Sequence, residues 1–139
     1  VFSRLKTLKT NLDSGVPQAI QQMGIEALNA PLDSIDQQLS IYEQRRDKVV
    51  GALREIGLRV QPPRASLYVW AKVPEPYTSA EFSALLLDEC NVLVSPGSGY
   101  GENGEGYIRL SLTISDDNLD KGLARLKSWK IPPSKTSKS

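Results

Sequence analysis

The chain has 139 residues, 17 basic and 16 acidic side chains and a net charge of +1. A chain of this length is typical of one domain with a real core, and a 40% hydrophobic share is ordinary for a globular protein. The balanced charge indicates no affinity for nucleic acid or an anionic membrane, and no apolar run approaches the ~20 residues of a membrane span.

The counts of histidine and cysteine limit the chemistry that the chain can perform. The chain contains no histidine, the commonest general base and transition-metal ligand, which argues against a self-contained catalytic triad or a zinc site. The single cysteine, Cys90, cannot form an internal disulfide and suits a reducing compartment. We therefore expect a cytoplasmic protein that holds no metal.

The first 30 residues predict two amphipathic helices. Apolar residues recur at helical spacing in the first helix: Val1, Leu5, Leu8 and Leu12. Ser14 is the predicted N-cap of a second helix, which has Pro17 in its first turn and runs to about Asn29, where Ala30 precedes a proline. Because the chain opens with Val1 inside a helical pattern, we expect it to be a piece of a longer protein.

A long helix follows, with Ser34 and Gln37 as a capping box and Gly57 as a left-handed C-cap. Its apolar stripe comprises Ile35, Leu39, Tyr42, Val49, Leu53 and Ile56. Arg46 interrupts the stripe, so packing of one side on a sheet is favoured over a coiled coil.

Three strands and a helix are predicted next. Leu58 to Gln61 is a short strand, and Ser66 to Val73 alternates apolar and polar residues as a half-buried strand does. Thr78 and Glu81 form a capping box for a helix that ends near Asn91, and the apolar run from Val92 to Val94 is a third short strand.

A glycine-rich loop from Pro96 leads into a fourth strand, and Ser115 caps a last helix before the tail. Helices and strands mix along the chain, so the fold class is α+β, with a small mixed or antiparallel sheet covered by helices on one face. Residues 131–139 are expected to be a disordered tail.

The fourth strand carries Arg109 among apolar neighbours. Side chains alternate across a strand, so Ile108 and Leu110 face the core while Tyr107, Arg109 and Ser111 face a cleft or a partner. A planar guanidinium on a fixed strand is suited to gripping a carboxylate through two hydrogen bonds. The residues alone equally allow an arginine in a structural ion pair.

The loop from Gly99 to Gly104 has the glycine spacing of a dinucleotide-binding fingerprint, but it leads into a strand rather than a helix. Its acidic residues Glu102 and Glu105 would also repel phosphate. The glycines therefore indicate a tight turn, or close approach of the backbone to a ligand or another chain. Tyr68 and Tyr100 are the aromatic residues most suited to lining a pocket, although core packing explains them as well.

The chain resembles the C-terminal part of class I and II aminotransferases, the fold-type I enzymes that depend on pyridoxal phosphate. The resemblance runs from about Val1 to Trp129, through NLDSGVPQAIQQMGIEAL, EQRRDKVVGALREIGL, PRASLYVWAKVP and NVLVSPGSGYGENGEGYIRLSLT. The closest likeness is to the aspartate and LL-diaminopimelate aminotransferase branch. One departure is that the glycine expected before the aromatic stretch is Ala65 or Ser66.

The resemblance implies that Arg109 binds the substrate α-carboxylate, with Tyr68 and Tyr100 as weaker candidates for substrate binding. Residues 1–30 would be remnant helices linking from a large domain, and 31–130 the small domain. The catalytic lysine and the cofactor ligands would lie upstream, so the fragment alone would hold no pyridoxal phosphate and be inactive. The whole enzyme would be a homodimer that moves an amino group from an amino acid to a 2-oxo acid.

Two alternatives stay open at this point. One is a non-enzymatic α+β module that binds a small carboxylate or associates with itself. The other is a lyase or acyl-transferring relative with the same fold.

Overall fold

The computed structural model describes residues 1–12 and 15–133, apart from the side chain of Ser34. The predicted N-cap at Ser14, the predicted capping box at Ser34 and the predicted tail from residue 134 onward therefore lie outside the described residues. Within the described ranges, no helix is both long and apolar enough to cross a membrane.

The chain divides into two compact units, Val1–Asp36 and Gln37–Ser139. The first unit contains α1 (Phe2–Leu12) and α2 (Gln18–Asn29), and neither helix buries a residue. Helix α2 ends where the sequence predicts, because Ala30 takes the extended conformation that a following proline favours.

The second unit is built on a four-stranded sheet in the order β1-β2-β4-β3. Its elements in chain order are α3 (Asp33–Glu55, which begins in the first unit), β1 (Arg59–Val60), β2 (Tyr68–Lys72), α4 (Ser79–Cys90), β3 (Ser95–Pro96), β4 (Tyr107–Ser111) and α5 (Asp116–Ser128). Every neighbouring pair of strands is antiparallel. Strands β2 and β4 are therefore inner strands with partners on both sides, and the predicted α+β class is confirmed.

The core lies between one face of the sheet and helices α3, α4 and α5. The sheet contributes alternate residues of β2 and β4, which is the alternation that the sequence predicts. The fully buried large side chains are Phe82, Leu53, Leu86, Ile108, Leu112, Leu126, Val49 and Val69. In the stripe of α3, Val49 and Leu53 are buried while Ile35 and Leu39 are exposed, so only the second half of that helix packs on the core.

The third strand begins later than predicted: it comprises Ser95–Pro96, and the predicted residues Val92 to Val94 lie before it. The backbone N–H groups of Asn91 and Val92 donate to the carbonyls of Leu87 and Leu86, so this segment ends α4 instead of pairing with a strand. Val94 is buried by side-chain packing alone, and strand β3 begins one residue later. The predicted stop at Asn91 is confirmed by its left-handed φ of 52°.

Candidate functional site

Arg109 lies at the centre of the sheet face that the helices leave uncovered. On β4 it is directly opposite Trp70 of β2 on one side and Ser95 of β3 on the other. Its strand neighbours Ile108 and Leu110 are buried on the opposite face. The backbone of Arg109 is therefore fixed by two neighbouring strands, while its side chain projects from the helix-free face and is half-buried.

Two tyrosine rings lie against the guanidinium of Arg109. Its Cζ is 4.0 Å from the ring centroid of Tyr68 and 4.3 Å from that of Tyr100. Trp70 contacts Tyr100 edge to face, with the ring centroids 5.5 Å apart. The structure thus brings together Arg109, Tyr68 and Tyr100, the three candidate residues of the sequence, and adds Trp70 to them.

Arg109 differs from the other half-buried arginines in having no acidic partner. Arg45 forms an ion pair with Asp116 at 2.7 Å, and Arg46 forms ion pairs with Glu43 and Asp47 at 3.0 and 2.8 Å. Among the described residues, no carboxylate lies within 4.0 Å of the Arg109 guanidinium. The structural ion pair that the sequence left open is therefore not formed within the described part of the chain.

The glycine loop holds its shape through close approach of its own backbone. A Cβ atom on Gly97 would lie 1.9 Å from the carbonyl oxygen of Gly104 and 2.6 Å from that of Tyr107. A Cβ on Gly104 would lie 2.1 Å from the carbonyl oxygen of Gly97. The two glycines are needed where the loop crosses itself, and two short 3₁₀ turns, Gly97–Tyr100 and Glu102–Gly104, place Tyr100 beside Arg109.

A hydrogen-bonded cluster fastens this loop to the start of α4. The backbone N–H and the hydroxyl of Ser79 each donate to the Glu105 carboxylate at 2.8 Å. The Ser79 hydroxyl also accepts a hydrogen bond from the backbone N–H of Ser98. Ser79 is fully buried, and the hydrogen bonds from Ser79 and from the backbone N–H of Gly106 lower the pKa of Glu105.

We expect Glu105→Gln to lower the melting temperature of the chain near neutral pH and to have little effect in acid. A carboxyl with a lowered folded-state pKa stabilises the fold above its ordinary pKa of ~4.3, and that stabilisation is lost as pH falls through the folded value. Thermal unfolding from pH 7 down to pH 3 measures the difference. Glu102→Gln removes an exposed carboxylate of the same loop and is the control, which should leave the melting temperature at pH 7 unchanged. Equal effects of the two substitutions would contradict the role of Glu105.

Ser66 occupies a backbone conformation that glycine favours. Its φ is +88°, and the only other described residue besides glycine with a positive φ is Asn91. This position lies two residues before β2, in the loop where the family resemblance predicts a glycine at Ala65 or Ser66. The structure assigns the strained conformation to Ser66, where a Cβ atom is costly.

We expect Ser66→Gly to stabilise the chain by about 1 kcal/mol, because glycine adopts a positive φ without the steric cost. Equilibrium unfolding in urea measures the change. Ala65→Gly is the matched control: its φ is not positive, so added freedom of the unfolded chain should make it neutral or destabilising. The interpretation fails if Ser66→Gly destabilises the chain as Ala65→Gly does.

The glycine loop beside Arg109 leaves no room for a phosphate group at Gly97. The space beside Gly97, where a phosphate could meet a glycine backbone, is filled by the carbonyl of Gly104. The carboxylate of Glu105 lies in the same loop, next to the first turn of α4. The helix-free face of β2 and β4 offers a guanidinium with aromatic rings beside it, and a guanidinium can bind either a carboxylate or a phosphate through two hydrogen bonds.

Sequence reasoning missed the cluster of Ser79, Ser98 and Glu105. The sequence signal for the start of α4 was the Thr78–Glu81 capping box, and the structure confirms it. The Thr78 hydroxyl accepts a hydrogen bond from the Glu81 N–H, and the Glu81 carboxylate accepts one from the Thr78 N–H. The capping box accounted for the helix start by itself, so nothing in the sequence pointed to a second carboxylate 26 residues away from Ser79.

Comparison with known proteins identifies the family. The family model described as aminotransferase class I and II matches residues 1–126. An LL-diaminopimelate aminotransferase of Dehalococcoides mccartyi is 58% identical over 130 residues, which cover 94% of this chain and 34% of that protein. The chain therefore spans about a third of the length of such relatives.

Solved structures show the same architecture. A probable N-succinyldiaminopimelate aminotransferase from Thermus thermophilus superposes with a TM-score of 0.80 at 29% identity, over 91% of this chain and 34% of that one. An aminotransferase from Staphylococcus aureus gives a TM-score of 0.78 at 34% identity, over 89% and 33% of the two chains. The match to the family model and these likenesses confirm the resemblance: the chain belongs to the aminotransferase class I and II family.

Proposed function

We propose that the whole protein is a pyridoxal-phosphate-dependent aminotransferase and that this chain supplies the anchor for the substrate α-carboxylate. The observation that carries the proposal is Arg109, a half-buried guanidinium without a carboxylate partner among the described residues. A half-buried, unpaired cation is costly unless a ligand neutralises it. A substrate carboxylate is the planar anion that its paired N–H groups fit.

The contribution of Arg109 is orientation. Two parallel hydrogen bonds from a guanidinium to a carboxylate fix both the position and the rotation of an amino acid about its Cα. Because β4 has a partner strand on each side, the backbone that carries Arg109 is held in place relative to the rest of the sheet. The bound cofactor would supply the electron sink for removal of the Cα proton, and its lysine and phosphate ligands would come from residues outside this chain.

We propose LL-diaminopimelate as the amino donor and a 2-oxo acid as the acceptor. The support comes from three LL-diaminopimelate aminotransferases that share 56–58% identity with this chain. The whole protein is proposed to be a homodimer in the cytoplasm, a location that suits the free thiol of Cys90.

A panel of amino donors on the whole protein tests this function. The donors tested are LL-diaminopimelate, aspartate, glutamate, alanine and phenylalanine. The acceptor is 2-oxoglutarate, or oxaloacetate when glutamate is the donor, and the amino acid formed from the acceptor is quantified. We expect the highest kcat/KM with LL-diaminopimelate and no turnover when pyridoxal phosphate is removed. Transfer from another donor alone would revise the substrate, and absence of transfer from every donor would overturn the function.

The chain of 139 residues alone is proposed to be inactive, because the lysine and the phosphate ligands of the cofactor are proposed to lie outside it. The same assay on the isolated chain with added pyridoxal phosphate should give no product. Turnover by the isolated chain would contradict this. Carboxylate binding by the isolated chain, together with a whole protein that transfers no amino group, would instead favour the non-enzymatic binding module.

A further inference from the structure

We propose that Tyr68 and Tyr100 are positioning residues that hold the Arg109 guanidinium so that only its N–H edge meets the substrate carboxylate. The inference rests on the proposed role of Arg109 as the anchor and assigns these two rings a task other than contact with substrate. It starts from the two short distances, 4.0 and 4.3 Å, between the guanidinium carbon and the ring centroids.

The rings flank the guanidinium. Two aromatic rings whose centroids are this close to one carbon atom cannot be stacked on the same side of it, because each ring is itself ~3.5 Å thick. They also come from different parts of the fold, Tyr68 from β2 and Tyr100 from the glycine loop. Arg109, between them, belongs to β4.

Aromatic rings on both sides of a guanidinium restrict the directions from which a ligand can approach its N–H groups. Its five N–H donors lie in the plane of the group, and its two faces are the surfaces on which aromatic rings stack. The ring centroids of Tyr68 and Tyr100 lie at stacking distance from Cζ, 4.0 and 4.3 Å, and rings stacked on the two faces leave the N–H donors of the edge free. A planar carboxylate that approaches in the same plane can accept two of these hydrogen bonds, so the flanking rings favour the bidentate arrangement.

The rings also reduce the cost of keeping Arg109 ready without a ligand. The negative face of each ring attracts the cation, which partly compensates for the missing carboxylate partner. Contacts with both rings restrict the rotamers of a long side chain, so less conformational entropy is lost when the substrate binds. Trp70 supports this arrangement, since its edge-to-face contact with Tyr100 restricts that ring in turn.

The hydroxyl groups of the two tyrosines distinguish positioning from direct binding. No hydrogen bond from either hydroxyl is present among the described residues, so the contacts with Arg109 are made by the rings. Phenylalanine would preserve these contacts, and leucine would remove them while keeping a large apolar side chain. A role in binding substrate through the hydroxyl predicts instead that phenylalanine and leucine weaken binding equally, because both lack the hydroxyl.

The test uses the whole protein with Tyr68→Phe, Tyr100→Phe, Tyr68→Leu and Tyr100→Leu, and Arg109→Lys for comparison. Calorimetry measures the Kd of succinate, a dicarboxylate that cannot react, and steady-state kinetics give kcat and KM for the amino donor. We expect each leucine variant to raise Kd and KM about 3- to 30-fold, with kcat within about 3-fold of wild type, and each phenylalanine variant to stay within about 2-fold. Melting temperatures show whether a variant is folded.

Three outcomes overturn the proposal. If the leucine variants bind succinate like the wild type while Arg109→Lys weakens binding, the anchor stands and the positioning role falls. If the phenylalanine variants lose as much affinity as the leucine variants, the hydroxyls bind the ligand directly. If the Arg109→Lys and leucine variants all bind like the wild type, the anchor role is overturned as well.

Discussion

Replacing Arg109 with alanine in the whole protein is expected to lower kcat/KM for the amino donor about 10²- to 10⁴-fold. This loss follows from removing two charge-assisted hydrogen bonds, each worth ~1.5–3 kcal/mol, to a carboxylate that must be oriented for reaction. Arg109→Lys keeps the positive charge without the two-pronged geometry and should lose less than the alanine variant. Steady-state kinetics on both variants measure the effect, and cofactor absorbance should be unchanged.

A matched control separates this effect from a general loss of positive charge. Arg59 is an exposed arginine on β1 of the same sheet, so Arg59→Ala removes one charge without touching the site and should leave kcat/KM unchanged. Undiminished turnover of Arg109→Ala at low substrate concentration would overturn the anchor role. Loss of cofactor absorbance in Arg109→Ala would also contradict it, because the damage would then not be confined to the substrate.

Gly97→Ala is expected to be the most destabilising single-methyl substitution in the glycine loop, costing about 3 kcal/mol or more. The added Cβ would lie 1.9 Å from the backbone oxygen of Gly104, so the two crossing segments of the loop must separate. Backbone atoms cannot rotate away as the end of a side chain can. Equilibrium unfolding of the chain measures the loss of stability.

Gly99→Ala is the control for Gly97→Ala, because a Cβ at Gly99 meets nothing within 4 Å and its φ is not in the positive range. Gly99→Ala adds the same methyl group in the same loop but without a clash, so we expect it to be nearly neutral. Gly97→Ala should also move Tyr100 away from Arg109, which tryptophan fluorescence can detect because Trp70 contacts Tyr100. Equal stability of the two variants would show that the loop does not depend on the close approach.

The parts of the fold that the sequence predicts well are those decided by neighbouring residues. The Thr78–Glu81 capping box, the left-handed Asn91 and the alternation that buries Val69 and Ile108 all depend on a few adjacent positions, and each is found in the structure. Arg109 could be predicted as a residue of the helix-free face for the same reason.

The features that sequence reasoning missed depend on hydrogen bonds and contacts that residue types alone do not specify. The apolar run at Val92 to Val94 has the composition of a strand, but the hydrogen bonds that end α4 take its first backbone N–H. The bond between Ser79 and Glu105 depends on how the loop folds back onto α4. The same is true of the rings of Tyr68 and Tyr100, which meet at Arg109 only because β2 and the loop converge there.

The two rings that flank Arg109 differ in the stiffness of the backbone that carries them. Tyr68 belongs to strand β2 and is paired there with Ser111 of β4, whereas Tyr100 belongs to a loop of short 3₁₀ turns. Amide hydrogens of β2 and β4 should therefore exchange with solvent far more slowly than those around Tyr100. Of the two rings, Tyr100 is then the one expected to move away from Arg109. The rate at which a bound carboxylate dissociates would follow the motion of the loop rather than that of the sheet.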